Sequence, residues 1–312
     1  MRSILVKLPN WMGDILFSLD LLYTLSAHFD RIGLLTSNAH AELFNIFPLP
    51  GAEVIPYLPA TWPNLDRETI LRIETFQPDC GLLLTNSIGS ALVLRWAGVS
   101  DLYGYDTEHR DFLLKLSLPA PQYQLHQTMY YLELLKLFGL DPIPYPGPGQ
   151  TKRERLAIIH SGTSKPPRAW HVERFCKVAE QLQQKGLDVL FVSQQETREI
   201  PFPMMRNPSL TELAAQMKRC TLFLGNDSGP LHLAQQCGAS VVGIYGPGTP
   251  ITTGPRNISP HKIVYHAFPC SPCRQKFFRE CNPAPSQKPY CIETISVDEV
   301  LKACLSLSLS RN

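Results

Sequence analysis

Short runs of Val, Ile and Leu alternate with longer stretches of helical periodicity through most of this chain, and nothing else constrains its fold as strongly. Residues 3–8, 31–36, 52–56 and 80–85 read as strands. Residues 14–28 carry Ile15, Leu19, Leu22 and Leu25 on one helical face, and 127–138 form another amphipathic helix closed by Gly139. Near-continuous apolar strands separated by helices predict a parallel sheet covered on both faces. Asp141-Pro-Ile-Pro-Tyr-Pro-Gly-Pro-Gly-Gln150 interrupts the pattern, because four prolines and two glycines sustain neither a helix nor a sheet ladder. The alternation then restarts, with strands at 156–160, 188–193, 222–225 and 240–245 and helices at 171–185, 210–218 and 231–237. Ser296 with Glu299 three residues on starts a last helix over 297–309 with a capping box. The chain therefore reads as two open α/β halves, 1–148 and 149–312.

Length agrees, since 312 residues suit two domains. The balance of 29 Lys+Arg against 27 Asp+Glu gives a net charge of +2, which argues against a nucleic-acid partner. A hydrophobic share of 44% excludes a disordered chain. No apolar run reaches the ~20 residues of a membrane span. Lys7 and Asn10 interrupt the N-terminal apolar stretch, so a first strand is expected there rather than an export signal. Nine cysteines without such a signal point to reduced thiols in the cytoplasm.

In open parallel sheets, ligands sit at the carboxyl ends of strands, where loops lead into helices. The first such loop is Lys7-Leu-Pro-Asn10-Trp11-Met-Gly13-Asp14. Gly13 permits a tight turn, and Asp14 reads either as a helix N-cap or as a general base. The second is Gly225-Asn226-Asp227-Ser228-Gly229-Pro230-Leu-His232, in which Pro230 suits the first helical position and the amides of Ser228 and Gly229 suit an anion. Asp227 sits oddly beside an anion unless it caps the helix or binds a sugar hydroxyl. The third, Gly246-Pro-Gly248-Thr249-Pro250, repeats the device, with Thr249 as a hydroxyl donor or an ordinary turn residue. Two adjacent anion-ready loops suggest a diphosphate, hence a nucleotide or nucleotide-sugar. Thr163, Lys165 and Arg168 lie on the loop after the first strand of the second half, either facing that diphosphate or solvated. Glu196, three residues beyond the 188–193 strand, reads as a ribose ligand or a solvent-facing carboxylate. A nucleotide-sugar epimerase or dehydrogenase would need Gly-x-Gly-x-x-Gly after the first strand, where only Gly13 is found.

Cys270, Cys273, Cys281 and Cys291 are spaced C-x2-C-x7-C-x9-C. The first two make a good corner for zinc, but the sequence offers no matching second pair. A structural zinc site, a disulfide and simply packed thiols all stay open. No cluster of His, Asp and Glu accompanies them, so no catalytic metal is expected.

Asn10-Trp-Met-Gly-Asp14, Gly225-Asn-Asp-Ser-Gly-Pro-Leu-His-Leu-Ala234, Gly246-Pro-Gly-Thr-Pro250 and Cys270-Ser-Pro-Cys273 together resemble the lipopolysaccharide heptosyltransferases of glycosyltransferase family nine, in motif the heptosyltransferase II branch. The resemblance runs from about residue 3 to 305. It implies a GT-B fold of two Rossmann-like domains whose parallel sheets face an interdomain cleft. The first domain would bind the acceptor through Asn10, Trp11 and Gly13, the second would bind the nucleotide-sugar, and the last helix would pack back on the first. It further implies an inverting, metal-independent transfer of heptose from ADP-heptose to the lipid A–core acceptor at the membrane surface, with Asp14 as general base and no cofactor. The absence of an Asp-x-Asp pair agrees with that metal independence. The implied location is cytoplasmic, peripheral on the inner face of the cytoplasmic membrane. Three features depart from the family pattern. Arg168 stands where relatives commonly carry Lys, His171 follows Trp170 where Pro is common, and Ser193-Gln-Gln-Glu196 replaces a Gly-rich turn.

Overall fold

Strand β1 (Ser3–Lys7) is buried at every position, as a strand with helices on both faces must be. The computed structural model describes residues 2–57, 66–147, 149, 151–193, 200–271, 273 and 275–308. They divide into two units, Met1–Pro146 and Gly147–Asn312. In the first, β1 is joined by β2 (Arg31–Ser37), β3 (Ala52–Tyr57), β4 (Cys80–Leu83), β5 (Leu102–Tyr105) and β6 (Leu116–Leu118). The sheet is parallel, in the order β3-β2-β1-β4-β5-β6.

The second unit repeats this plan with β7 (Glu154–His160), β8 (Asp188–Ser193), β9 (Met204–Arg206), β10 (Cys220–Asn226), β11 (Ser240–Tyr245) and β12 (His261–Tyr265). Its order is β12-β11-β10-β7-β8-β9, again parallel. Strand order reverses between β1 and β4 in one unit and between β7 and β10 in the other. Such reversal points open a crevice beyond the carboxyl ends of the two strands, because their loops turn away to opposite sides. The loops after β1, β7 and β10 are the ones singled out from sequence.

Local structure departs from the periodicity in instructive places. The helix expected over 14–28 is two helices, Met12–Phe17 and Leu19–His28. Ser18 breaks it by donating its hydroxyl to the Ile15 carbonyl at 2.7 Å, a side-chain bond that competes with the helical ladder. The helix Gln127–Leu132 tightens into 3-10 geometry over Glu133–Phe138 and stops at Gly139, at φ +65°. The helices Arg67–Phe76 and Ile88–Trp96 and the strands β5, β6, β9 and β12 were not foreseen. The last helix, Val297–Ser308, has its expected capping box, with Ser296 N–H donating to Glu299 and Glu299 N–H to the Ser296 hydroxyl. Val300, Cys304 and Leu307 join the second unit's core with Trp170, Phe175, Val178 and Leu182.

Candidate functional site

The second unit's site is built on one fully buried side chain. Asn226 ends β10 at 0% exposure. Its Oδ1 accepts from the Trp170 N–H at 2.9 Å, while its Nδ2 donates to the carbonyls of Ser161 at 2.8 Å and Gly162 at 3.4 Å. A buried amide with both ends engaged fixes loop position, because each displaced bond would leave an unpaired polar group. The loop after β7 is thereby tied to the end of β10. His160 lies beneath it, close enough that a Cβ on Gly162 would stand 3.3 Å from its ring. Burial lowers the His160 pKa to about 4, so the ring is neutral at pH 7.

Asp227 makes the second tie. Its carboxylate is buried, faces the Arg168 guanidinium at 3.4 Å, and accepts from the Thr253 hydroxyl at 3.4 Å. Burial pushes its pKa up, and Arg168 partly offsets this. Asp227 does not cap the following helix. It occupies the space a side chain on Gly248 would need, a Cβ there lying 2.0 Å from Oδ2. Gly248 is required by this carboxylate and Gly246 by Ile292, which would stand 2.5 Å from a Cβ. Neither has the positive φ that a turn glycine supplies. The loops after β7, β10 and β11 are thus one construction, joined through Asn226, Asp227 and Arg168.

The helix Gly229–Gln236 starts one residue earlier than expected, with Ser228 as N-cap, Gly229 first and Pro230 second. The Ser228 hydroxyl donates to the Asn226 carbonyl at 3.1 Å instead of capping. His232 is buried on this helix. Thr249 is the N-cap residue of Pro250–Thr253 and makes no side-chain capping bond. Arg168 keeps a buried Nε–H with no acceptor among the described residues. Lys165 is drawn to Gln275, donating to Oε1 at 2.9 Å, and the Thr163 hydroxyl accepts from the Lys165 N–H at 3.4 Å. Glu196 lies outside the described residues.

In the first unit, Trp11 is the N-cap of Met12–Phe17 and is 65% exposed. Gly13 and Asp14 are the second and third helical residues, so Asp14 is not the cap. The phenol of Tyr131 is held protonated, by burial first and then by the charge of Asp14. Lys7, at the end of β1, was missed. Its buried ammonium donates to the Leu8 carbonyl at 2.7 Å and to Asn10 Oδ1 at 3.3 Å, and lies 4.7 Å above the Tyr57 ring. The Tyr57 hydroxyl donates to the same Asn10 oxygen at 3.2 Å. Desolvation brings the Lys7 pKa down to about 7. The available signal was a charged residue closing an apolar strand, and His160 shows the same signature. The thiols of Cys270, Cys273, Cys281 and Cys291 are all free.

The model of glycosyltransferase family 9 (heptosyltransferase) matches residues 71–282. Lipooligosaccharide heptosyltransferase 2 of Campylobacter jejuni is 22% identical over 98% of this chain and 99% of its own. Among solved structures, the Escherichia coli ADP-heptose LPS heptosyltransferase II matches with a TM-score of 0.75 at 19% identity, covering 99% of both chains. The E. coli heptosyltransferase WaaC with ADP matches with a TM-score of 0.73 at 15% identity, covering 97% of this chain and 98% of that one. These are GT-B folds, and the two six-stranded parallel sheets described above share that architecture.

Proposed function

This chain belongs to glycosyltransferase family 9, the heptosyltransferases, and on that premise we propose that it moves a heptose from ADP-heptose to the inner core of lipopolysaccharide, inverting the anomeric carbon without a divalent metal at the diphosphate. The observation that carries this reading is the joined loop construction after β7, β10 and β11, tied through Asn226 and the Asp227–Arg168 pair. A diphosphate needs fixed donors, and backbone amides at a helix start supply them without a basic face. Ser228 and Gly229 at the head of Gly229–Gln236 are those amides.

The chemistry follows from the charges. Asp14 takes the proton of the acceptor hydroxyl as its oxygen attacks the anomeric carbon. The bond from that carbon to the β-phosphate oxygen breaks, and ADP leaves with the electron pair. Arg168 and the Ser228–Gly229 amides meet the charge that develops on the leaving oxygen. Asp227 positions Arg168, while Asn10, Trp11 and Gly13 shape the acceptor side. The reading places the enzyme on the inner face of the cytoplasmic membrane as a peripheral protein, because the acceptor is a lipid. Among the described residues no helix is long and apolar enough to cross a bilayer. A different nucleotide-sugar is the second reading, favoured by Arg168 in the place usually held by lysine, since the two cations present donors differently.

The test is a thermal-shift screen of ADP-, UDP-, GDP- and CDP-sugars, followed by transfer from ADP-heptose to heptose-free core acceptor with and without added Mg2+ or Mn2+. Stabilisation by the ADP compounds and transfer indifferent to the added cations are expected. Stabilisation by another nucleotide alone would move the assignment to the second reading, and dependence on Mg2+ would overturn metal independence.

A further inference from the structure

Lys7 closes β1, with Leu35 of β2 on one side and Leu83 of β4 on the other. It is 7% exposed, at a position where methionine or leucine would fill similar space with no charge to desolvate. Among the described residues its ammonium meets the Leu8 carbonyl, Asn10 Oδ1 and the Tyr57 ring, and no carboxylate. A buried cation without a counter-ion is a costly way to end a strand, and its one side-chain hydrogen bond goes to Asn10.

Tyr57 reaches the same atom from the edge of the sheet. It ends β3, which lies two strands from β1. Asn10 Oδ1 accepts from Lys7 Nζ at 3.3 Å and from the Tyr57 hydroxyl at 3.2 Å. Burial raises the pKa of the Tyr57 phenol, so it keeps the proton it donates. An ammonium only donates, so the amide atom facing it is the oxygen and the NH2 end is the one left over. Asn10 is exposed, and among the described residues its Nδ2 has no hydrogen-bond partner. Two donors on the carbonyl oxygen also polarise the amide and strengthen its N–H groups as donors. Four residues on, the same loop delivers Asp14 in the first turn of Met12–Phe17.

We propose that Lys7 and Tyr57 are positioning residues for acceptor recognition: they hold the Asn10 amide with its oxygen inward, so that its two N–H bonds meet a hydrogen-bond-accepting oxygen of the acceptor sugar. The inference rests on the acceptor-side reading of the first unit given above, and adds how the contact is made. Lys7 and Tyr57 touch no substrate and act only through Asn10. An amide so fixed loses no rotational freedom when the sugar arrives, because folding has already fixed it.

The test is calorimetric titration of the full chain with heptose-free core acceptor, with ADP titrated as the control. Asn10→Asp separates recognition from bracing. Its carboxylate still accepts from Lys7 and Tyr57, so the variant should melt no lower than the parent, yet it has no N–H to offer and should lose ~10-fold or more in acceptor affinity. Lys7→Met and Tyr57→Phe should each lose several-fold, and Lys7→Met should cost nothing further in an Asn10→Ala background. ADP affinity should stay within two-fold throughout. Parent-like acceptor binding by Asn10→Asp would overturn the inference, as would an effect of Lys7→Met that is the same with and without Asn10. A parent chain that binds ADP but no core acceptor would instead refute the acceptor-side reading, and the inference would fall with it.

Discussion

Replacing Asn226 with alanine tests whether the donor loops are held by one buried amide. The substitution strands the Trp170 N–H, whose acceptor at 2.9 Å disappears, and the Ser161 carbonyl, whose donor at 2.8 Å disappears. The Gly162 contact at 3.4 Å is at the edge of hydrogen-bond range and contributes little. A buried polar group left unpaired costs ~1–3 kcal/mol, a carbonyl less than an N–H because it has a second lone pair. The two together come to ~3 kcal/mol. At ~2–4 °C per kcal/mol for a unit of this size, the melting transition of the second unit should fall by ~6–12 °C. Asn226→Asp refines the test, since a carboxylate still accepts from Trp170 but sets negative charge against two carbonyl oxygens in a buried position. It should cost at least as much as alanine. Both variants should weaken ADP binding by ~10-fold or more, the equivalent of 1.4 kcal/mol. Calorimetric melting of the full chain and titration with ADP check the two numbers. Unchanged melting and unchanged ADP affinity in both variants would refute the claim that Asn226 sets the loops.

Asp14→Asn should lower transfer by ~10²-fold or more while leaving ADP affinity within a few-fold, as a lost base does; normal turnover would sink the assignment. Gly248→Ala drives a methyl group to 2.0 Å from Asp227 Oδ2, so it should displace that carboxylate from Arg168 and cost ~1–3 kcal/mol. A variant that melts like the parent would show that the loop yields freely. Lys7 has a pKa brought down from the ordinary 10.5 to about 7 by desolvation. The unfolded chain therefore binds more protons between those two values, and stability should rise with pH across that window. Lys7→Met should remove this rise, measured by urea unfolding at pH ~7 and ~9; an identical slope in both proteins would contradict a buried, proton-shedding lysine.

Much of this protein was legible before any coordinates. Strands such as β1, β10 and β11 are buried nearly throughout and so appear as unbroken apolar runs. The edge strands β6 and β9 have three residues each, mostly part-exposed, and at that length have no periodicity to detect. Helix Arg67–Phe76 was missed for a related reason, since only Thr69, Ile73 and Phe76 of its ten residues are buried.

The sequence by itself determined the two α/β halves, the break between them and the loops where a ligand would sit. Those follow from composition and spacing, which act along the chain. What each loop residue does was decided only by tertiary structure. Asp227 looked like a helix cap or a sugar ligand and is a tie between Arg168 and the Gly248 loop. Gly246 and Gly248 looked like turn glycines and are instead sites where a neighbour from elsewhere in the chain leaves no room for a Cβ. Contacts between residues far apart in sequence depend on which strand ends the sheet order brings together, and no local pattern encodes that order.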